Sequence, residues 1–200
     1  MPTPAEHIWY KTTGIIIPAY NPGPELVALC TELAQNGFTP LVVNDGSTDT
    51  AVFNALKSLP VMVLHHAVNL GQGAALETGI CKALRLNMQY FVTFDADGQH
   101  SCRSVTDMLR VLQQENADIV FGSRFLDKNL SASIPAAKKI TLKMAALFDG
   151  LLTGLWMTDS HNGLRAFNRK VAEKIHFTEN RMAHATEILW LTRKNRCGDG

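Results

Sequence analysis

The chain has 200 residues, 46% of them hydrophobic, and a formal net charge of +1. That length and apolar share suit one well-cored domain and are short for two, and the near-neutral charge supplies no broad basic field for nucleic acid. The 4 cysteines, Cys30, Cys81, Cys102 and Cys197, show no paired spacing, which argues against a disulfide framework or a zinc site and for a cytoplasmic setting. Met1 to Thr13 is polar and proline-bearing, unlike a signal peptide, and no run of about 18 apolar residues that would cross a membrane occurs.

Short apolar runs then alternate with amphipathic segments of helix length. Gly14 to Pro18 reads as a strand, followed by a helix from about Pro24 to Asn36 that Gly37 ends. Leu41 to Asn44 is the next strand. Asp45-Gly46-Ser47 turns into a helix reaching about Leu59, with Ser47 or Thr48 as its cap and Pro60 as its stop. Val61 to His65 is a third strand, Gly73 to about Asn87 a helix, Tyr90 to Asp95 a fourth strand, Arg103 to Asn116 a helix, and Ile119 to Gly122 a fifth strand. This rhythm predicts an α/β fold, βα units around a mostly parallel sheet.

Beyond Arg124 the pattern changes. Asp127 to Pro135 reads as a loop, and Met144 to Met157 is apolar apart from Asp149, Thr153 and two glycines, following Lys138, Lys139 and Lys143. That run is too short to span a bilayer, which favours a buried or half-buried helix over an amphipathic element resting on a membrane surface. Asp159 to Gly163 is a polar turn before Leu164 to Phe167, and Thr178 to Asn195 reads as a final helix.

The suggestive residues of the first half follow the carboxyl ends of strands: Tyr20 and Asn21 the first, Asp45 the second, Asn69 to Gly73 the third, Asp95 and Asp97 the fourth, Arg124 the fifth. Ligands bind at that edge of open α/β sheets. Residues i and i+2 of an extended chain project to one side, so Asp95 and Asp97 can converge on a hard cation such as Mg²⁺ or Mn²⁺. Taken alone, the triplet fits a turn equally well. Gly71-Gln72-Gly73 before a helix suits phosphate. It is neither a dinucleotide fingerprint, since Leu76 stands at the third glycine, nor a Walker motif, since no Gly-Lys-Ser or Gly-Lys-Thr occurs. Asp45, beyond any cap role, can accept a hydrogen bond from a base imide or a ribose hydroxyl.

Five motifs in this order, Ile15 to Asn21, Val42 to Ser47, Asn69 to Ala75, Asp95 to His100 and Gly122-Ser123-Arg124, resemble the family 2 glycosyltransferases of GT-A fold. The likeness is nearest to the dolichyl-phosphate mannose synthase and bacterial cell-envelope branch, and Asn162 to Phe167 resembles that branch's Gly-Phe-Arg-Ala-Phe element. The resemblance implies one GT-A domain over residues 1–200, with a nucleotide-sugar half at about 13–124 and an acceptor-side half at about 125–195. It implies that Pro18, Tyr20, Asn21 and Asp45 line the nucleoside of a UDP or GDP sugar, with Gly71 and Gly73 at its phosphates. Asp95 and Asp97 would hold a divalent cation on the pyrophosphate, with Gln99 near the sugar and Arg124 and Arg165 near phosphate oxygens. Transfer with inversion is the implied reaction.

The chain departs from the family pattern at Pro22, where relatives carry Glu, at Asn44, the first Asp of Asp-Asp-Gly-Ser, and at Gln72, a frequent Lys. It also stops where relatives continue into another strand and often into membrane segments, which implies a truncated or divergent form. A saccharide acceptor would need a general base, for which Asp159 and Glu187 are the carboxylates to test. A polyprenyl phosphate is already anionic and needs only cations such as Arg165. Asp97, Asp159, Glu187 and Arg165 are therefore the candidate catalytic residues, and His100 and His161 could reach metal or substrate. The chain is then a cytoplasmic enzyme, peripheral on the inner membrane face if the apolar segment docks there. The alternatives are a nucleotidyltransferase on a similar fold and a non-catalytic nucleotide-binding or membrane-docking module.

Overall fold

Ile15, Ile16 and Ile17 have no exposed surface, as expected of a strand covered on both faces. They belong to β1 (Thr13–Ala19), the middle of a six-stranded sheet. The structure is a computed structural model and describes residues 9–96, 101–122 and 164–175. Around β1 lie β2 (Leu41–Asn44), β3 (Met62–His65), β4 (Tyr90–Thr93), β5 (Ile119–Phe121) and β6 (Arg165–Asn168), in the spatial order β3-β2-β1-β4-β6-β5. The pairs β1–β2, β1–β4 and β2–β3 are parallel.

Among the described residues, α1 (Glu25–Gln35), α2 (Ala51–Leu56), α3 (Gln72–Arg85), α4 (Cys102–Gln114) and α5 (Arg169–Ala172) cover the sheet. The alternating side chains of the strands feed two cores. On one face Ile15, Ile17, Val42 and Val92 meet Leu26 and Leu33 of α1, Phe53 and Leu56 of α2, and Val105 and Leu109 of α4. On the other, Ile16, Leu41, Phe91 and Phe167 meet Leu76, Ile80 and Ala83 of α3 and Ala172 of α5. Each such buried aliphatic or aromatic side chain contributes about 1.5–3 kcal/mol. The layers are helix, sheet and helix, and α/β with a mostly parallel sheet is borne out.

Two readings need correction. The helix expected from Ser47 onward begins only at Ala51, and neither Ser47 nor Thr48 caps it. Asp49 Oδ1 accepts from Ala51 N at 2.8 Å, while the Ser47 and Thr48 side chains bond to Asn21. The second is β6, which is inserted between β4 and β5 and runs antiparallel to both. Leu164 to Phe167, unassigned in the sequence, thus fills the place beside β4, and Arg165 lies opposite Thr93 and Phe121.

Cys30, Cys81 and Cys102 are free, and the first and third are buried. Burial pushes the Cys30 thiol up to about 12 and the Cys102 thiol up to about 11, the latter aided by the Glu32 carboxylate. Neither is a thiolate at neutral pH, so neither is a nucleophile. Glu32 Oε1 also accepts from Cys102 N at 2.8 Å, so a side chain of α1 satisfies the first turn of α4. Among the described residues no helix is long and apolar enough to cross a membrane. The apolar segment 144–157 and the expected helix at 178–195 lie outside the described residues.

Candidate active site

The sheet order places the reversal of winding between β1 and β4: the chain adds β2 and β3 on one side, then crosses to β4 on the other. The loops leaving neighbouring strands diverge at such a point and leave a crevice at the carboxyl edge. A cleft of about 670 Å³ lies there. Pro18, Ala19 and Tyr20 line it from the end of β1, Asp45 from β2, Asn69, Gly71 and Gln72 from the β3–α3 loop, and Asp95 and Ala96 from β4. The volume is within the range of ordinary small-molecule sites, roughly 300–1,000 Å³. Pro22, Gly23 and Glu25 complete the lining.

Tyr20 is 51% exposed, so its ring is a free apolar face at the mouth. Gly71 begins α3 with φ of 99°, a value that favours glycine, and α3 starts at Gln72 as the Gly-Gln-Gly motif requires. Gly73 is buried in the first turn and does not line the cleft. Gln72 Nε2 donates to Asp95 Oδ1 at 3.3 Å, so the middle residue of the Gly-Gln-Gly motif contacts the carboxylate that follows β4 directly.

Asp45 is not the free carboxylate the sequence suggests. It is 2% exposed; Oδ1 accepts from Leu70 N at 2.9 Å and from His66 Nδ1 at 2.7 Å, and Oδ2 accepts from Gly71 N at 2.8 Å. A buried carboxylate needs such donors to offset its desolvation. His66 in turn meets Thr78 Oγ1 of α3 at 2.9 Å through Nε2. Beside it, Asn44 Oδ1 accepts from Ser47 N at 2.9 Å and its Nδ2 lies 3.1 Å from His65 Nδ1. Asn44 thus makes two side-chain hydrogen bonds without bringing a charge to the turn.

Asn21 is absent from the cleft lining and acts as a clip instead. Its N–H donates to Ser47 Oγ at 2.9 Å, and its Oδ1 accepts from Thr48 N at 3.0 Å and Thr48 Oγ1 at 3.2 Å. The clip ties the β1–α1 loop to the β2–α2 turn and holds Asn21 at φ 45°. Arg165 is 1% exposed on β6 and does not line the cleft either. Asp97, Gln99, Arg124, Asp159 and Glu187, with His100 and His161, lie outside the described residues. Gly122 N donates to Leu164 O at 2.9 Å, which ties the carboxyl end of β5 to the start of β6.

Sequence reasoning missed Glu25 and His66. Glu25 is the first-turn acid of the helix after β1. His66 directly follows β3, so the same strand-edge phasing that picked out Asp45 should have included it.

Among the described residues no group of three or more His, Cys, Asp or Glu side chains could hold a metal ion. The donor chemistry nevertheless fits a hard cation: Asp95 brings a carboxylate to a cleft wall, and Mg²⁺ commonly uses one or two carboxylates, with water and substrate phosphates completing its shell.

A family model described as glycosyl transferase family 2 matches residues 14–176. An uncharacterized protein of Methanocaldococcus jannaschii is 34% identical over 184 residues, covering 90% of this chain and 75% of its own length. The UDP-N-acetylglucosamine–dolichyl-phosphate N-acetylglucosaminyltransferase of Methanococcus voltae is 28% identical over 210 residues, covering 95% and 83%. A cytidylyltransferase structure from Leptospira borgpetersenii superposes with a TM-score of 0.56 at 12% identity, over 92% of this chain and 72% of that one, a likeness of fold alone. With the model matched across all six strands, the chain belongs to the family 2 glycosyltransferases, as its ordered motifs led one to expect.

Proposed function

We propose that the chain transfers a sugar from a nucleoside diphosphate sugar to a polyprenyl phosphate, with inversion and with help from a divalent cation. The observation that carries this reading is the convergence of Tyr20, Asp45, Gly71, Gln72 and Asp95 from four strand ends on one cleft. Pro18 and Tyr20 supply the apolar surface a base would stack on. Asp45, already accepting three hydrogen bonds, builds the wall beside the nucleoside and is not its primary reader. Gly71, whose own N–H is held by Asp45 Oδ2, lines the wall beside the diphosphate, and the start of α3 faces it with backbone donors. Asp95, with Asp97, would hold the cation. When bound, the cation offsets the charge that builds on the departing nucleoside diphosphate.

The balance of the reaction is simple. A phosphate oxygen of the acceptor bonds to the anomeric carbon as that carbon's bond to the diphosphate breaks on the opposite side. No proton need leave a lipid phosphate, so no general base is required; Arg124 is the cation proposed for the acceptor side, since Arg165 is buried on β6 away from the cleft. A dolichyl-phosphate acceptor in the name of the Methanococcus voltae relative supports this acceptor class over a saccharide.

A thermal-shift panel of UDP, GDP and dTDP sugars with Mn²⁺ tests the donor assignment, since a ligand of the native state raises its stability by about 2.7 kcal/mol at a hundredfold excess over Kd. One base series should raise the melting temperature, and chelation should reverse the shift. No shift across the panel would count against the reading.

A further inference from the structure

We propose that His66 is a positioning residue of the donor cleft, acting through Asp45 on the Leu70–Gly71 backbone that forms the cleft wall. This rests on the donor-site reading above for its ligand, but its structural part stands alone. With Asp45 ionised, His66 Nδ1 must carry the proton it shares with Oδ1 at 2.7 Å. In the neutral ring Nε2 then accepts from the Thr78 hydroxyl at 2.9 Å. The imidazole is thereby braced between the turn after β2 and the second turn of α3.

The brace controls more than its own burial. Asp45 Oδ1, the oxygen that His66 holds, also accepts Leu70 N at 2.9 Å, and Oδ2 accepts Gly71 N at 2.8 Å. Rotation of that carboxylate would release both amides. Asn69, Gly71 and Gln72 line the cleft, and Gln72 reaches Asp95 at 3.3 Å, so the wall links the nucleoside end to the carboxylate proposed for the metal. His66 itself does not line the cleft, which makes its action indirect. His65, one residue earlier, turns to Asn44 instead, so the two adjacent histidines serve separate partners.

The test separates the two ring nitrogens. His66→Asn presents an amide nitrogen near the position of Nδ1 and retains a donor for Asp45, whereas His66→Gln reaches toward Thr78 and loses that donor. In His66→Gln, hydrogen exchange at the Leu70 and Gly71 amides should accelerate about tenfold or more relative to amides of β1, and affinity for GDP or UDP with Mn²⁺ should fall by a similar factor. His66→Asn should stay within about threefold of the parent chain on both readouts. A merely structural histidine would lower the melting temperature of both variants without separating them in exchange or affinity, and that result overturns the proposal. Thr78→Val, an isostere, gives the same decision if either histidine variant fails to fold. It should accelerate exchange at the same amides by about threefold, and unchanged exchange overturns the proposal. If the parent chain binds neither nucleotide, the donor reading fails while the exchange arm still decides the role of His66.

Discussion

Asp95→Ala is expected to lower the rate of sugar transfer by about a hundredfold or more and to abolish the dependence of nucleoside diphosphate binding on a divalent cation. Asp95 lies two residues past the carboxyl end of β4, a strand held between β1 and β6, and Phe94 N before it still donates to Ile16 O of β1 at 2.9 Å. Its carboxylate lines the cleft and accepts from Gln72 Nε2 at 3.3 Å. Removing it takes away one of the two carboxylates proposed to hold the cation, and the charge forming on the leaving diphosphate loses much of its counterpart. Partly exposed and outside the core, the side chain contributes little to folding, so stability should change by about 0.5–1 kcal/mol. Calorimetric titration of the nucleoside diphosphate with and without Mn²⁺ is the measurement. Binding that stays tight and metal-dependent in the variant would remove Asp95 from the metal site.

The largest loss of stability is expected from Gly46→Ala. Gly46 has φ of 70°, and a Cβ there would lie 2.8 Å from Val68 Cα and closer still to the Val68–Asn69 peptide. Strain at a positive φ costs about 1–3 kcal/mol and overpacking about as much again. A loss of about 3 kcal/mol or more follows, a fall of roughly 6–12 °C in melting temperature for a chain of this size. The neighbouring atoms are backbone and cannot rotate away. Gly23→Ala is the control, because its Cβ would meet only the flexible Glu25 carboxylate, and it should cost under about 1 kcal/mol. Since Gly46 adjoins Asp45, the clash also pushes the Val68–Asn69 backbone away from the carboxylate that holds Leu70 and Gly71. Donor affinity should fall with stability. Denaturant unfolding of the two variants that yields equal costs would contradict this account of the turn.

Much of the fold could be read from the chain because its strands are local and their period is simple. Ile15-Ile16-Ile17 and Leu41-Val42-Val43 are unbroken apolar runs, and the turn residues that follow put Tyr20, Asp45, Gly71 and Asp95 on one edge, where the cleft lies. β6 could not be read so. Arg165-Ala166-Phe167-Asn168 has no β-branched residue and carries a buried guanidinium, and only pairing with Phe91 and Val120, distant in sequence, makes it a strand.

Within the site, residue type misled where one polar side chain had several partners on offer. Asn21 looked like a ligand residue, but its amide serves Ser47 and Thr48 across the gap between two loops. Asp45 looked available because its donors, Leu70, Gly71 and His66, are more than twenty residues away. The likeness of Gln72 to a lost lysine hid its contact with Asp95. In each case the correcting partner comes from another strand-end loop, and such pairings are set by the sheet order and not by local spacing.

The central claim, sugar transfer to a lipid phosphate, is tested most directly by the identity of what leaves the donor. The chain, a radiolabelled nucleoside diphosphate sugar, Mn²⁺ and polyprenyl phosphate are incubated together, and both the soluble and the lipid products are resolved. The account predicts release of nucleoside diphosphate in step with labelled sugar in the lipid fraction. Release of pyrophosphate by the chain from a nucleoside triphosphate and a sugar phosphate, with no label in lipid, would contradict it in favour of nucleotidyl transfer.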